Sequence, residues 1–160
     1  MQLKFNFAFS ILIIKKLSDE LNESIVPWIG KTGKMLHLFL TEKFKNHNIK
    51  LTLEQFVVLR VLHAKDGQPQ HDLAFITKRH KASLTRILGT LERKNLVARI
   101  PDPADKRVNR IYLTSYGRKF YLPTLPILKE AVDQVQHSLS EEEIDTLINI
   151  MKKVQKNLTT

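Results

Sequence analysis

Asp102-Pro103-Ala104-Asp105-Lys106-Arg107-Val108-Asn109-Arg110-Ile111-Tyr112-Leu113-Thr114 is the stretch on which the fold turns. It reads as the tip and outgoing strand of a β-hairpin. Val97-Ala98-Arg99-Ile100 is the strand going in, and Val108 to Leu113 the strand coming out, rich in β-branched and aromatic residues. Pro101 and Pro103 punctuate the turn, because neither can donate to a ladder. Asp105 is the acid nearest to Arg107 and Arg110, expected to pair with one of them and fix the loop. The tip therefore carries more positive charge than a turn needs. A long basic finger after a helical segment suits the wing of a winged helix; a plain solvated hairpin is the simpler alternative.

Working backwards, Lys81 to Lys94 has apolar residues at Leu84, Ile87, Leu88 and Leu91, the i, i+3, i+4, i+7 pattern of a one-sided helix. Asn95 suits its left-handed C-terminal cap. His71 to Thr77 is a short helix expected to turn Leu73, Ala74 and Ile76 inward, with Lys78-Arg79-His80 as the turn between the two. Two short helices, a turn and a basic hairpin spell a helix-turn-helix with a wing. Thr52-Leu53-Glu54-Gln55 is a capping box that opens a further helix with an almost wholly apolar run from Phe56 to Leu62.

The flanks read as helices too. Glu23 to Lys45 is helical, with a bend expected near Pro27, Gly30 and Gly33. A helix from about Ser115 is interrupted at Leu122-Pro123-Thr124-Leu125-Pro126. Ser140 to Glu143 is a second capping box, before a stripe of Ile144, Leu147, Ile148, Met151, Val154 and Leu158. The apolar stretch Phe5 to Ile14 is too short for a membrane span, which needs about 20 residues, and no cleavage site of secretory type follows it. It reads as a helical arm that buries one stripe against another element or a second subunit, with a misassigned start codon as the alternative origin of its first dozen residues.

At 160 residues the chain is expected to be one domain. It is mainly α with a small β-hairpin wing: residues 52–114 form the winged helix-turn-helix lobe, and residues 1–48 and 115–160 a helical dimerisation layer. The formal net charge is +10. Between His71 and Lys119 there are twelve Lys/Arg against four Asp/Glu, a net +8 in 49 residues, which leaves +2 for all the rest. An excess owned by one segment points to a polyanionic partner. The outward face of the Lys81–Lys94 helix is small and hydroxyl-rich and lacks acid until Glu92, which fits a major groove about 12 Å wide. Lys81, Ser83, Thr85, Arg86 and Thr90 are its candidate DNA contacts, with Arg86 placed to take guanine O6 and N7. Lys106, Arg107 and Arg110 are the candidate contacts of the wing, and Asp105 its stabiliser.

The chain has no cysteine, which excludes disulfides, thiolate zinc sites and cysteine redox sensing. The six histidines show no metal-ligand spacing, and no phosphate loop, nucleophile elbow or carboxylate pair is present. No metal, cofactor or enzymatic activity is expected, and the absence of disulfides fits the cytoplasm.

Leu73-Ala74, Ala82-Ser83-Leu84-Thr85-Arg86-Ile87-Leu88, Leu91-Glu92-Arg93-Lys94-Asn95-Leu96-Val97, Arg99, Asp102 to Arg107 and Leu113-Thr114-Ser115-Tyr116-Gly117 together resemble the MarR family of bacterial transcription regulators. The match is close over residues 52–120. The resemblance implies a triangular homodimer that offers two winged helices to a pseudo-palindromic site on double-stranded DNA, with Lys81 to Arg93 as recognition helix and Arg107 at the wing tip. It also implies a cleft for a small effector between the dimer layer and the lobe; Trp28, Met35, Phe39, Phe56 and Arg60 are candidates to line it, and serve equally well as core. The expected function is a repressor released by a ligand. The alternatives are a winged-helix module that docks protein without reading DNA, and a nonspecific nucleic-acid compactor.

Overall fold

The structure is a computed structural model that describes residues 15–159. The apolar stretch of residues 5–14 lies outside the described residues. In chain order the elements are α1 (described over residues 15–23), α2 (Ile25–Asn46), α3 (Leu53–Ala64), β1 (Gln68–Pro69), α4 (Gln70–Ile76), α5 (Lys81–Arg93), β2 (Val97–Pro101), β3 (Asn109–Leu113), α6 (Ser115–Tyr121), α7 (Thr124–Gln136) and α8 (Glu141–Asn157). The fold is mostly helical with one small antiparallel sheet, as expected. The chain divides after Asn46 into two compact units.

In the first unit, α2 runs unbroken through Pro27, Gly30 and Gly33. The break comes earlier, at Ser24, whose Oγ donates to Leu21 O (2.7 Å) and accepts from Val26 N (3.3 Å). Pro27 then falls in the first turn of α2, where its missing N–H has no helical acceptor to lose. The expected bend is thus corrected to a hinge two to three residues upstream. Only Phe44 of α2 is buried, while Trp28, Met35, Leu36 and Leu38 are exposed.

The second unit holds the core. Val58, Leu59 and Leu62 of α3, Leu73 of α4, Leu84, Leu88 and Leu91 of α5, Leu96 and Ile111 are essentially solvent-free. Each fully buried leucine or isoleucine is worth about 1.5–3 kcal/mol, so this cluster is what the helix-turn-helix condenses on. The predicted capping box opens α3: Thr52 Oγ1 accepts from Gln55 N (3.3 Å), and Gln55 Oε1 accepts from Thr52 N (3.2 Å). Ser140 and Glu143 repeat it at α8. Pro123 separates α6 from α7, as expected from its ring. Ile76, expected inward, is exposed together with Phe75, because α4 ends after seven residues and turns only Leu73 fully into the core.

The sheet has three strands, not two, in the order β1-β3-β2. β2 and β3 pair antiparallel from Val97↔Leu113 to Pro101↔Asn109, and Gln68–Pro69 adds to the other side of β3 through Gln68↔Ile111. A two-residue strand beginning at a turn and ending in proline has no alternation to betray it in sequence. It ties the wing to the start of the helix-turn-helix. Gly67 makes this possible: its φ is +67°, and a Cβ there would lie 2.7 Å from the Tyr112 ring.

Candidate nucleic-acid interface

α5, the expected recognition helix, is held at both ends by backbone geometry. Ahead of it, Thr77 Oγ1 donates to Leu73 O (2.6 Å), and Lys78 adopts a left-handed φ of 51°. This closes α4 and redirects the chain into α5. Behind it, Asn95 is left-handed (φ 57°), as its sequence position predicted. Thr114 then clips the end of α5 to the start of α6: its hydroxyl donates to Asn95 O (2.6 Å) and accepts from Gly117 N (2.8 Å). Gly117 lies so close that a Cβ would stand 2.0 Å from Leu96 O.

Along α5 the predicted contacts separate into two groups. Lys81 and Arg86 are exposed and Ser83 half-buried, and none of the three side chains makes a hydrogen bond or ion pair with another described residue. Thr85 and Thr90 are engaged. Thr85 Oγ1 donates to Lys81 O (2.9 Å) and accepts from Gln70 Nε2 (2.8 Å). Thr90 Oγ1 donates to Arg86 O (3.2 Å) and accepts from Arg93 Nη2 (2.9 Å). Hydroxyl protons spent on a helix's own carbonyls are unavailable to a groove.

The wing tip separates in the same way. Asp105 accepts from Arg107 N (3.0 Å), Nε (3.1 Å) and Nη2 (3.3 Å), so its carboxylate holds one edge of the guanidinium head and orients it. That head stays 91% exposed. Lys106 is exposed. Arg110 is different: it pairs with Asp102 through Nε and donates from Nη1 to Gly67 O (3.1 Å). Asp102, 7% exposed, also accepts from Ala104 N (2.8 Å). The sequence assigned Arg110 to the DNA-facing set with Asp105 as the nearby acid; the structure makes it the inner brace of the wing, because the hairpin register sets Arg110 opposite Ile100, beside Asp102. The amide of Ala104 and the Arg110 guanidinium hold the Asp102 carboxyl below the usual carboxylate range, against the opposing pull of burial. Arg107, through its side chain and then its amide, does the same for Asp105.

Sequence reasoning missed three further members. Gln70 anchors Thr85. Arg99 donates to Thr85 O (3.3 Å) and stands 3.3 Å from Glu92 Oε2. Asp66 accepts from Leu113 N (2.9 Å) and pairs with Arg118. Each pairing spans distances along the chain that no local pattern shows. A cavity of about 420 Å³ lies where α4, the start of α5 and the wing tip meet, lined by Gln70, His71, Lys81, Arg107 and Asn109 among others. Its rim is cationic and polar.

Of the candidate cleft residues, Trp28 and Met35 are exposed and Phe39 half-buried on α2. Phe56 is in the core of the other unit, its ring 5.4 Å from that of Tyr121, and Arg60 is exposed on α3. Burial pushes the Tyr121 hydroxyl pKa up.

The MarR family model matches residues 51–108, the span from α3 to the wing. A transcriptional regulator, HosA of Escherichia coli O111:H-, is 31% identical over 114 residues, 71% of this chain and 84% of HosA. The chain belongs to the MarR family. The homoprotocatechuate degradative operon repressor of Escherichia coli is 31% identical over 109 residues, 68% of this chain and 72% of the repressor. Among solved structures, the transcriptional repressor CouR, bound to a 23-mer DNA duplex, superposes with a TM-score of 0.78 at 22% identity, covering 85% of this chain and 95% of that one. This MarR-family chain thus has the winged-helix fold of transcriptional regulators. Among the described residues, no helix is long and apolar enough to cross a membrane.

Proposed function

We propose that this MarR-family protein is a cytoplasmic, non-catalytic repressor that reads a pseudo-palindromic operator as a homodimer. The observation that carries the reading is the division of labour among its cations. Arg99, Arg110 and Arg118 are tied to carboxylates within the lobe, whereas Lys81, Arg86 and Lys106 stand without partners among the described residues and Arg107 is pre-aimed by Asp105. A merely solvated surface has no reason to leave these four turned outward together, on the recognition helix and the wing tip. Arg86, with Ser83 beside it, is placed for base edges; Lys81, Lys106 and Arg107 for phosphates or the minor groove. Relatives that are regulators and repressors, and a fold shared with a repressor bound to duplex DNA, support the same reading.

The exposed apolar residues of α8 suit a second copy of the chain, which would present two reading heads to half-sites about 34 Å apart. Release by a small ligand belongs to this reading. A cavity of about 430 Å³ lined by His47, Ile49, Tyr116, Lys119, Phe120 and Ile127, among others, offers an apolar bed with a cation at its edge. Trp28, Met35 and Phe39 of the first unit, and Arg60 of α3, are candidates to be tested separately from this cavity, with Phe56 serving as core.

The test is a titration of the protein against its own upstream DNA. Specific binding is expected, weakening by roughly 0.9 log units per log of salt for each phosphate met. Arg86→Ala lowers discrimination between operator and scrambled duplex by about 1–3 kcal/mol; Lys106→Ala lowers affinity for both and flattens the salt slope by about 1. No specific complex at low salt, from a folded dimer, overturns the proposal.

A further inference from the structure

Thr85 sits in the second turn of α5, and polar side chains from two other elements converge on it. Gln70, the first residue of α4, donates from Nε2 to its hydroxyl at 2.8 Å. Arg99 of β2 donates from Nη2 to its carbonyl at 3.3 Å, and the same guanidinium reaches Glu92 Oε2 at 3.3 Å, about two turns further along α5. The hydroxyl's own proton goes to Lys81 O. Neither Gln70 nor Arg99 is needed to close α5, which already has its turn before it and its left-handed Asn95 behind it.

We propose that Gln70 is a positioning residue that fixes the roll of the recognition helix through the Thr85 hydroxyl, beside the Arg99 bond to the Thr85 carbonyl, and so determines sequence discrimination without touching a base. This rests on the DNA-reading function proposed above. The underside of α5 is Leu84, Leu88 and Leu91 on other aliphatic side chains. Such packing is driven by a non-directional force. Two hydrogen-bonded tethers, one from α4 and one from the wing, add direction to it. Arg86 is the next residue in the chain. A bidentate contact by Arg86 tolerates displacements of only about 0.5 Å, so roll at Thr85 is read directly as lost fidelity. Of the cations proposed above for phosphates, Lys106 and Arg107 ride on the wing tip and only Lys81 rides on α5, so loosening the tethers changes the number of phosphates met by one at most.

The experiment compares the full chain with Gln70→Ala, Thr85→Val, Thr85→Ser and the double variant Gln70→Ala/Thr85→Val. The probe is a duplex enriched by the unaltered protein from a randomised pool roughly two helical turns (about 21 base pairs) long, set against a scrambled duplex. Gln70→Ala and Thr85→Val are each expected to lower the specific-to-scrambled ratio roughly three- to tenfold, the span of one net hydrogen bond. The double variant is expected to fall no further than the worse single one, Thr85→Ser to restore the ratio, and the salt slope to change by no more than the one contact Lys81 supplies. A ratio that does not fall, additive losses, or a slope flattened by more than one contact overturns the proposal. A second measurement needs no DNA: amide hydrogen exchange across α5 rises about three- to tenfold in Gln70→Ala and Thr85→Val and not in Thr85→Ser. If the unaltered protein enriches nothing from the pool, the DNA-reading function has failed, and unchanged α5 exchange in Thr85→Val separately overturns the positioning role.

Discussion

Gly117 shows how much one missing carbon can carry. Its Cα faces the carbonyl of Leu96 so closely that Ala would put a methyl 2.0 Å from that oxygen. No side chain can yield there, because the obstacle is backbone. Gly117→Ala is therefore expected to cost about 3 kcal/mol or more, read as a lower urea midpoint with an unchanged slope. At Gly67 the left-handed backbone alone costs a residue with a Cβ about 1–2 kcal/mol, and the displaced Tyr112 ring adds to it. The sequence marked Gly117 only as part of a motif, and Asn95 by its cap chemistry. It could not assign Arg110. Asp102 and Arg110 are eight residues apart, and only the hairpin register brings them together. The same limit hid Gln70 from Thr85, fifteen residues away.

Among elements, the wing is the one whose stability depends most on its own carboxylates. The pKa values of Asp102 and Asp105 are both depressed by the groups that hold them, so the folded wing binds fewer protons than the unfolded chain. Its brace is fully present above the unfolded carboxylate pKa of about 3.9, and is lost as pH falls through the lower folded values. Thermal stability attributable to Asp102, measured as the difference between the unaltered protein and Asp102→Asn, is expected to be flat from pH 8 to about 5 and to vanish in stronger acid. A difference that grows on acidification contradicts the assignment. Helices with amphipathic periods and caps were legible in the sequence: α3 and α8 begin after the Thr52 and Ser140 caps, and α5 at Lys81 after the turn read at Lys78-Arg79-His80. The start of α2 was not, because proline disrupts a helix interior yet is welcome in a first turn, and the sequence does not say which position Pro27 holds. β1 escaped for want of length.

For the molecule as a whole, the apolar residues exposed on α8, Leu147, Ile148 and Ile150, are more than a lone helix in water keeps without reason. Leu147→Glu with Ile148→Lys is expected to give a folded monomer by sedimentation and to weaken operator binding at least about tenfold, since two linked heads hold a palindrome far better than one. A dimer that survives both changes places the subunit contact elsewhere. The charge excess between His71 and Lys119 survives the pairings of Arg99, Arg110 and Arg118. Glu92 and Asp102, the partners of the first two, are already subtracted from the net +8, and of the three only Arg118 draws on an acid outside the segment, Asp66.

The Thr114 hydroxyl, bonded at once to Asn95 and Gly117, leaves no slack between the last turn of α5 and the first turn of α6. A tilt of α6 must therefore either break this hydroxyl's two bonds or carry the end of α5 with it. If α5 reads DNA as proposed, that one side chain is where a push on α6 would first be felt.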